Sequence, residues 1–346
     1  MSEKSIKAAN PDRKPYLDFL RAVSCIGVIV LHVAAVSWWG ADETSEEWQI
    51  ANVYHDIFRW VVPMFLMISG VLFLNPLKQI SLKLMLKKYI FRVAVATLIF
   101  IIIIYVAVSW ELGLRFGLKK AMTYYNLWYL YMVMGLYLAV PLIRIITNNI
   151  TKKQYEVLLM VLFVFSTFLP FIINFLPPFF HYFVLKAYFP LGGYVIYFLL
   201  GYYLDKYGFR HKKIAYVLAL FSFALMIVGT YLLSIHNDRP MDNFITYLTP
   251  QTFFEALAVF VFVKGAYNRI SRWRLLNRII AFVSKYSLGV YGVHVIFIVL
   301  LGKAGINNSM FDTALSIPLI VVMVLGLSLI LVWLLTRIPL LRRFLL

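Results

Sequence analysis

The chain has 346 residues, of which 62% are hydrophobic and 14% charged. Soluble proteins average about 25% charged, so a water-soluble globular fold is excluded. The formal net charge of +18 invites a nucleic-acid reading, but the positions of the lysines and arginines account for it otherwise, while the single cysteine excludes an intramolecular disulfide and a cysteine-based zinc site.

Residues 1–15 form a short basic tail. The apolar run that follows, 16–39, is too long for a signal-peptide core and no small-residue cleavage site follows it, so it is expected to be retained. An acidic loop containing ADETSEEW is expected over 40–52. Nine further spans, each near the ~20 residues a bilayer crossing needs, are expected at 53–75, 89–110, 127–147, 155–176, 189–205, 214–235, 249–267, 279–301 and 315–337. The sixth is short and follows FLPPFFHYFVLKAYFP, which reads as a re-entrant or interfacial segment. The expected fold is an all-α polytopic membrane protein of about ten transmembrane helices, a single domain over 1–346 with no internal repeat.

The N-terminus, 76–88, 144–154, 206–213, 264–278 and the C-terminus hold most of the 33 Lys and Arg. The opposite side holds only Arg115, Lys119, Lys120, Lys186, Arg239 and Lys303. Cytoplasmic loops carry the excess of Lys and Arg, so both termini are expected in the cytoplasm. The positive charge is then topology signal, aided by anionic membrane lipid, and no nucleic-acid partner is expected.

Ionisable groups inside spans are costly, at least about 2.5–3.5 kcal/mol each, and by default mark a function. Arg21 and His32 share one face of the first span, since eleven steps of about 100° return to within ~20° of the start, about 16 Å along the axis. Cys25 falls on the same stripe. In the second span Arg59 comes near the depth of His32, with His55 one turn above it and Asp56 three residues away. Arg92 lies at the level of Arg21, just after Lys87 and Lys88, while His294 and Glu255 fall in the outer half. The result is a cationic inner tier and an outer tier rich in histidine and mixed charge. Guanidinium forks match phosphate oxygens, and neutral histidine takes up a proton near neutral pH. Lys87 and Lys88 also suit simple topology anchors, Glu255 a structural partner for Arg59 or a histidine, and Tyr124, Tyr125, Tyr182 and Tyr188 an interfacial belt or sugar-stacking faces.

LDFLRAVSCIGVIVLH resembles the first-helix signature of the acyltransferase-3 family of integral-membrane acyltransferases, with its Arg and His here at Arg21 and His32. FRWVVPMFLMISGVLF, NLWYLYMVMGLYLAVPLIR and YSLGVYGVHVIF resemble the second-, fourth- and penultimate-helix patterns, in that order. Asn126 stands where members often carry His, and no appended esterase-like domain is expected. The resemblance implies an acyl-CoA co-substrate, acetyl-CoA above all, no metal, and a hydroxyl acceptor on a surface polysaccharide or lipid-linked sugar. It implies a multi-pass protein of the plasma or inner membrane, with self-association left open. In this reading Arg21, Lys88 and Arg92 hold the nucleotide and phosphates, and Cys25 makes room for the pantetheine arm. His32 is the base, Arg59 stabilises the oxyanion and His294 orients His32. The alternative is an exporter of a glycan or lipid-linked sugar without acyl chemistry, although the repeats common in transporters are not seen.

If the orientation holds, a single cysteine placed at Ser45, after removal of Cys25, will react with an impermeant label on intact cells, and one placed at Gln79 will not. External labelling at Gln79 reverses the topology.

Overall fold

The computed structural model describes residues 14–112, 121–122, 126–176 and 193–346. Tyr124, Tyr125, Tyr182, Tyr188, Arg115, Lys119, Lys120 and Lys186, with the proposed re-entrant stretch from 177 onward, lie outside the described residues. The described chain is helical, and no strand occurs in it.

Helix α1 (Pro15–Gly40) opens on proline, whose missing N–H is an orphan at that position anyway. The segment expected as an acidic loop is in large part the start of the next helix, α2 (Glu46–Asp56). Ser45 accepts the Trp48 N–H at 3.2 Å, and Glu46 and Glu47 occupy the first turn, where carboxylates complement the helix dipole. The second expected span is therefore two helices, α2 and α3 (Val61–Phe73). The break has a local cause. Pro63 has no N–H to give the carbonyl four residues back, that of Arg59, and its ring crowds that carbonyl. The chain turns over residues 57–60 and resumes with Met64 N–H on the Trp60 carbonyl, 3.0 Å.

A π-helical stretch, Met85–Ile90, leads into α4 (Phe91–Leu112). Then come α5 (Trp128–Asn149) and α6 (Lys152–Phe163), the latter capped by the Thr151–Gln154 reciprocal box and continued through a π-turn to Ile173. The remaining helices are α7 (Val195–Tyr207), α8 (Lys212–Asn237), α9 (Pro250–Ile270), α10 (Arg274–Lys303), α11 (Thr313–Leu335) and the short α12 (Pro339–Leu345).

Among the described residues, eight helical stretches are long and apolar enough to cross a membrane. They match all the expected spans except the sixth and eighth, and both exceptions have a reason. Helix α7 has 13 residues, about 20 Å at 1.5 Å per residue, against a hydrocarbon core of about 30 Å. Helix α9 has 21 residues, but Gln251, Glu255 and Lys264 lower its hydropathy.

Three stretches are wrapped by the others. The apolar windows of α1, α2–α3 and α10 are 61%, 67% and 72% buried, against 28–39% for the other five. These three carry the ionisable residues singled out above, apart from Lys87 and Lys88 on the π-helical stretch, Arg92 on α4 and Glu255 on α9, while outer helices present side chains such as Leu98, Ile102, Leu220 and Phe221 outward. Helix α1 packs along α10, α2, α3 and α11, and α3 packs along α7. Without a hydrophobic drive between helices in lipid, small residues set how closely backbones approach. A Cβ at Gly70 would lie 1.8 Å from the Phe198 carbonyl oxygen, and one at Gly201 would lie 2.2 Å from that of Met67. Here the obstacle is backbone, which cannot rotate away. Gly135, with nothing within 4 Å, provides a control. Gly70→Ala and Gly201→Ala are each expected to lower stability by about 1–3 kcal/mol, read as Tm in detergent, while Gly135→Ala is near neutral. Equal Tm for all three would contradict the close crossing.

Candidate functional site

The outer tier forms around two histidines from the most buried helices. His32 on α1 and His294 on α10 meet with Nδ1 of the first 2.7 Å from Nε2 of the second, their rings near parallel at 12°. His294 is fully buried and His32 only partly so. The other nitrogen of His294, Nδ1, faces the Tyr291 and Val290 carbonyls at 2.8 and 3.2 Å. Carbonyls only accept, so His294 Nδ1 carries a proton. In a neutral ring its Nε2 then carries none and must accept. His32 Nδ1 is therefore the donor of the 2.7 Å bond, and in neutral His32 the nitrogen without a proton is assigned as Nε2.

Arg59 occupies the break between α2 and α3 and is 9% exposed. Its Nη2 lies 2.5 Å from His55 Nε2 and 3.0 Å from Nδ1, and His55 Nδ1 stands 3.4 Å from Asp56 Oδ1. Trp38 stacks on His55, centroids 4.8 Å apart, and the Arg59 guanidinium lies 5.6 Å from the Tyr247 ring centre. His32 and Glu255 both lie within electrostatic range of Arg59, and Glu255 also lies near Asp56. Several buried polar atoms of this region have no hydrogen-bond partner among the described residues: Asp56 Oδ2, Glu255 Oε2, Gln251 Oε1, Asn126 Oδ1 and Arg59 Nε. Four of the five are oxygens, which only a donor can satisfy.

The inner tier opens on a cavity of about 340 Å³. Arg21 and Arg92 line it together with Lys285, the serines Ser69, Ser284 and Ser287, and a run of tyrosines from Tyr89 through Tyr137 and Tyr129 to Tyr291. Arg21 donates to Asp18 at 3.1 Å and to Ser284 at 3.3 Å. Arg92 reaches the Phe344 carbonyl at 3.4 Å, so α12 sits at the cavity's edge, and Leu346 contributes to its wall. Tyr291 is the last residue of this wall toward the histidines and lies three positions before His294 on α10.

The sequence-predicted residues are thus divided. His32, His294 and Arg59 gather in one cluster, and Arg21 and Arg92 face one cavity. Lys88 is exposed, stands 5.3 Å from the Tyr89 ring centre and does not line the cavity. Cys25 is buried with Sγ 3.9 Å from the Ser287 carbonyl, and neither it nor the two histidines lines the cavity. Two residues were missed by sequence reasoning. Lys285, six residues into the span expected at 279–301 and so near the depth of Arg21, is placed in neither tier by the sequence, yet it lines the cavity. Asn126 was left without a role, and the structure bonds its side chain to the Tyr291 carbonyl at 3.3 Å. Among the described residues no group of His, Cys, Asp or Glu is arranged to hold a metal ion.

No curated protein matches the chain, and no solved structure does. A family model does: the acyltransferase-3 model, described as an acyltransferase domain, matches residues 14–337. With a helical membrane fold, a histidine pair in one half and a cationic cavity in the other, the chain belongs to the acyltransferase-3 family and is a membrane acyltransferase.

Proposed function

We propose that the protein is an O-acyltransferase of the plasma or inner membrane. In this reading it moves an acyl group, acetyl in the first instance, from cytoplasmic acyl-CoA to a hydroxyl of a surface polysaccharide or lipid-linked sugar. The observation that carries the reading is the 2.7 Å contact between His32 and His294, because the carbonyls behind His294 orient both rings and leave His32 Nε2 as the basic atom. His32 keeps partial exposure while His294 is sealed, as suits a base that must meet substrate and a partner that must not move.

The cavity supports a donor site. Arg21, Arg92 and Lys285 at its wall suit the phosphates of CoA, which forked guanidinium groups bind well. Its aromatic and serine lining leads toward Tyr291, one turn from His294, and suits the pantetheine arm. Lys88, being exposed, would act on the phosphates only from the margin, and Cys25 would shape the wall behind Ser287 rather than touch the arm. On the outer side, the unsatisfied oxygens of Asp56, Glu255 and Gln251 suit an acceptor that offers several hydroxyl donors.

The reaction then runs as follows. His32 Nε2 takes the proton of the acceptor hydroxyl as its oxygen attacks the thioester carbonyl. A C–O bond forms, and the charge that develops on the carbonyl oxygen is stabilised by Arg59. The C–S bond breaks, the electron pair leaves with the CoA sulfur, and the proton held by His32 passes to that thiolate. The ester and free CoA are the products, and His32 is restored. Membership in an acyltransferase family favours this over the exporter alternative, for which no feature of the described residues speaks.

Two measurements test the two tiers separately. Arg21→Ala and Arg92→Ala should each weaken CoA binding by about 1.5–3 kcal/mol, the usual loss of a charge-assisted contact, with Arg→Lys restoring only part of it. Unchanged affinity in both folded variants places the phosphates elsewhere. In the outer tier, His32→Ala should lower transfer by about 10²–10⁴ with CoA affinity near that of the parent. His32→Gln should not restore the rate, since an amide hydrogen-bonds but does not take up a proton. Full activity of His32→Ala alongside loss in His294→Ala would exchange the two roles.

A further inference from the structure

Asn126 and Tyr291 hold one another twice. The Tyr291 hydroxyl donates to the main-chain carbonyl of Asn126, and the Asn126 side-chain amide donates back to the main-chain carbonyl of Tyr291 at 3.3 Å. Asn126 is fully buried and lies in the turn that leads into α5, so the pair joins the start of α5 to the middle of α10. The Tyr291 carbonyl is the same atom that accepts the His294 Nδ1 proton at 2.8 Å. The Tyr291 ring is braced by Tyr129, with centroids 5.5 Å apart, and by the His294 ring at 5.9 Å.

A buried amide costs free energy unless its groups are bonded. The Asn126 Oδ1 has no partner among the described residues, so the side chain is held by what its N–H does. What it does is give the Tyr291 carbonyl a donor from a second helix. That adds an anchor from a second element to an oxygen already aligned by α10, the oxygen that lies 2.8 Å from His294 Nδ1.

We propose that Asn126 is a positioning residue for acyl transfer, acting through the Tyr291 carbonyl and His294 on the aim and protonation of His32. The proposal rests on the reading of His32 as the base. Asn126 touches neither of the two histidines' reacting atoms in this scheme. Its effect should therefore fall on the chemical step and vanish once His294 is gone.

The test is a double-mutant cycle on the full-length protein, reading free CoA released from acetyl-CoA with membranes of the native cell as the acceptor source. Asn126→Leu should lower kcat about tenfold, a coupling typical of residues in one bonded network, and leave the KM for acetyl-CoA within about twofold. In a His294→Ala background the same change should cost nothing further. Tyr291→Phe, which removes only the hydroxyl, should act in the same direction and add nothing to Asn126→Leu. Should Asn126→Leu not fold, Tyr291→Phe carries the same cycle against His294→Ala. Losses that multiply with His294→Ala, or that fall on KM instead of kcat, overturn the proposal while His32→Ala continues to define the base. A parent protein that releases no CoA and transfers no label removes the base assignment and this proposal with it.

Discussion

The contact between His32 and His294 is the constraint on which the arrangement depends. Two imidazoles 2.7 Å apart must share one proton between the facing nitrogens, and the direction of that proton is set behind them, by carbonyls that only accept. The orientation of the shared proton is thereby settled by the backbone of α10, not by a carboxylate. A carboxylate in that position would add a charge to a region where charge is costly. A main-chain oxygen gives the same directional information as part of the helix.

Around this contact, the polar groups are arranged so that few of them face lipid. The helices that carry His32, Arg59 and His294 are the most enclosed, and the surrounding helices present their apolar side chains outward. Arg59 illustrates how such a residue is accommodated. Pro63 interrupts the helix beside it, and the side chain is then held by His55, with Asp56 next to that ring and Tyr247 across its face. On the inner side, Arg144 gathers three main-chain carbonyls, of Phe73, Asn75 and Lys78, at 2.5–2.8 Å, which ties the end of α3 to α5 beside the cavity. Lys14, Tyr16 and Lys264 converge on Asp205 in a comparable way, joining α1, α7 and α9.

Much of this was legible in the sequence, because a bilayer leaves few options. Apolar length marks the spans, and the eleven-residue spacing of Arg21 and His32 places them on one helix face. The residues that fell outside the pattern did so for physical reasons. Helices α7 and α9 form where spans are expected at 189–205 and 249–267, but α7 is too short and α9 too polar to pass for a crossing on length and hydropathy alone. The start of α2 looked like a loop because acidic residues at a capped N-terminus are indistinguishable by hydropathy from a solvated turn. Lys88 and Cys25 share the depth or the stripe of Arg21, but depth does not say which neighbour a side chain meets, and neither residue lines the cavity. The contact of Asn126 is not legible in the sequence because its partner is a main-chain carbonyl 165 residues away, which no local pattern encodes.

The central claim is that an acyl donor entering between the inner cations delivers its thioester to His32. The most direct measurement is an experimental structure of the full-length protein with a non-hydrolysable thioether analogue of acetyl-CoA. The account predicts phosphates against Arg21 and Arg92, the pantetheine arm along the tyrosine-lined wall, and the carbon that stands for the thioester carbonyl about 3–4 Å from the place a hydroxyl would take beside His32 Nε2. An analogue bound with its phosphates away from both arginines, or with its acyl end turned from the histidine pair, would contradict it.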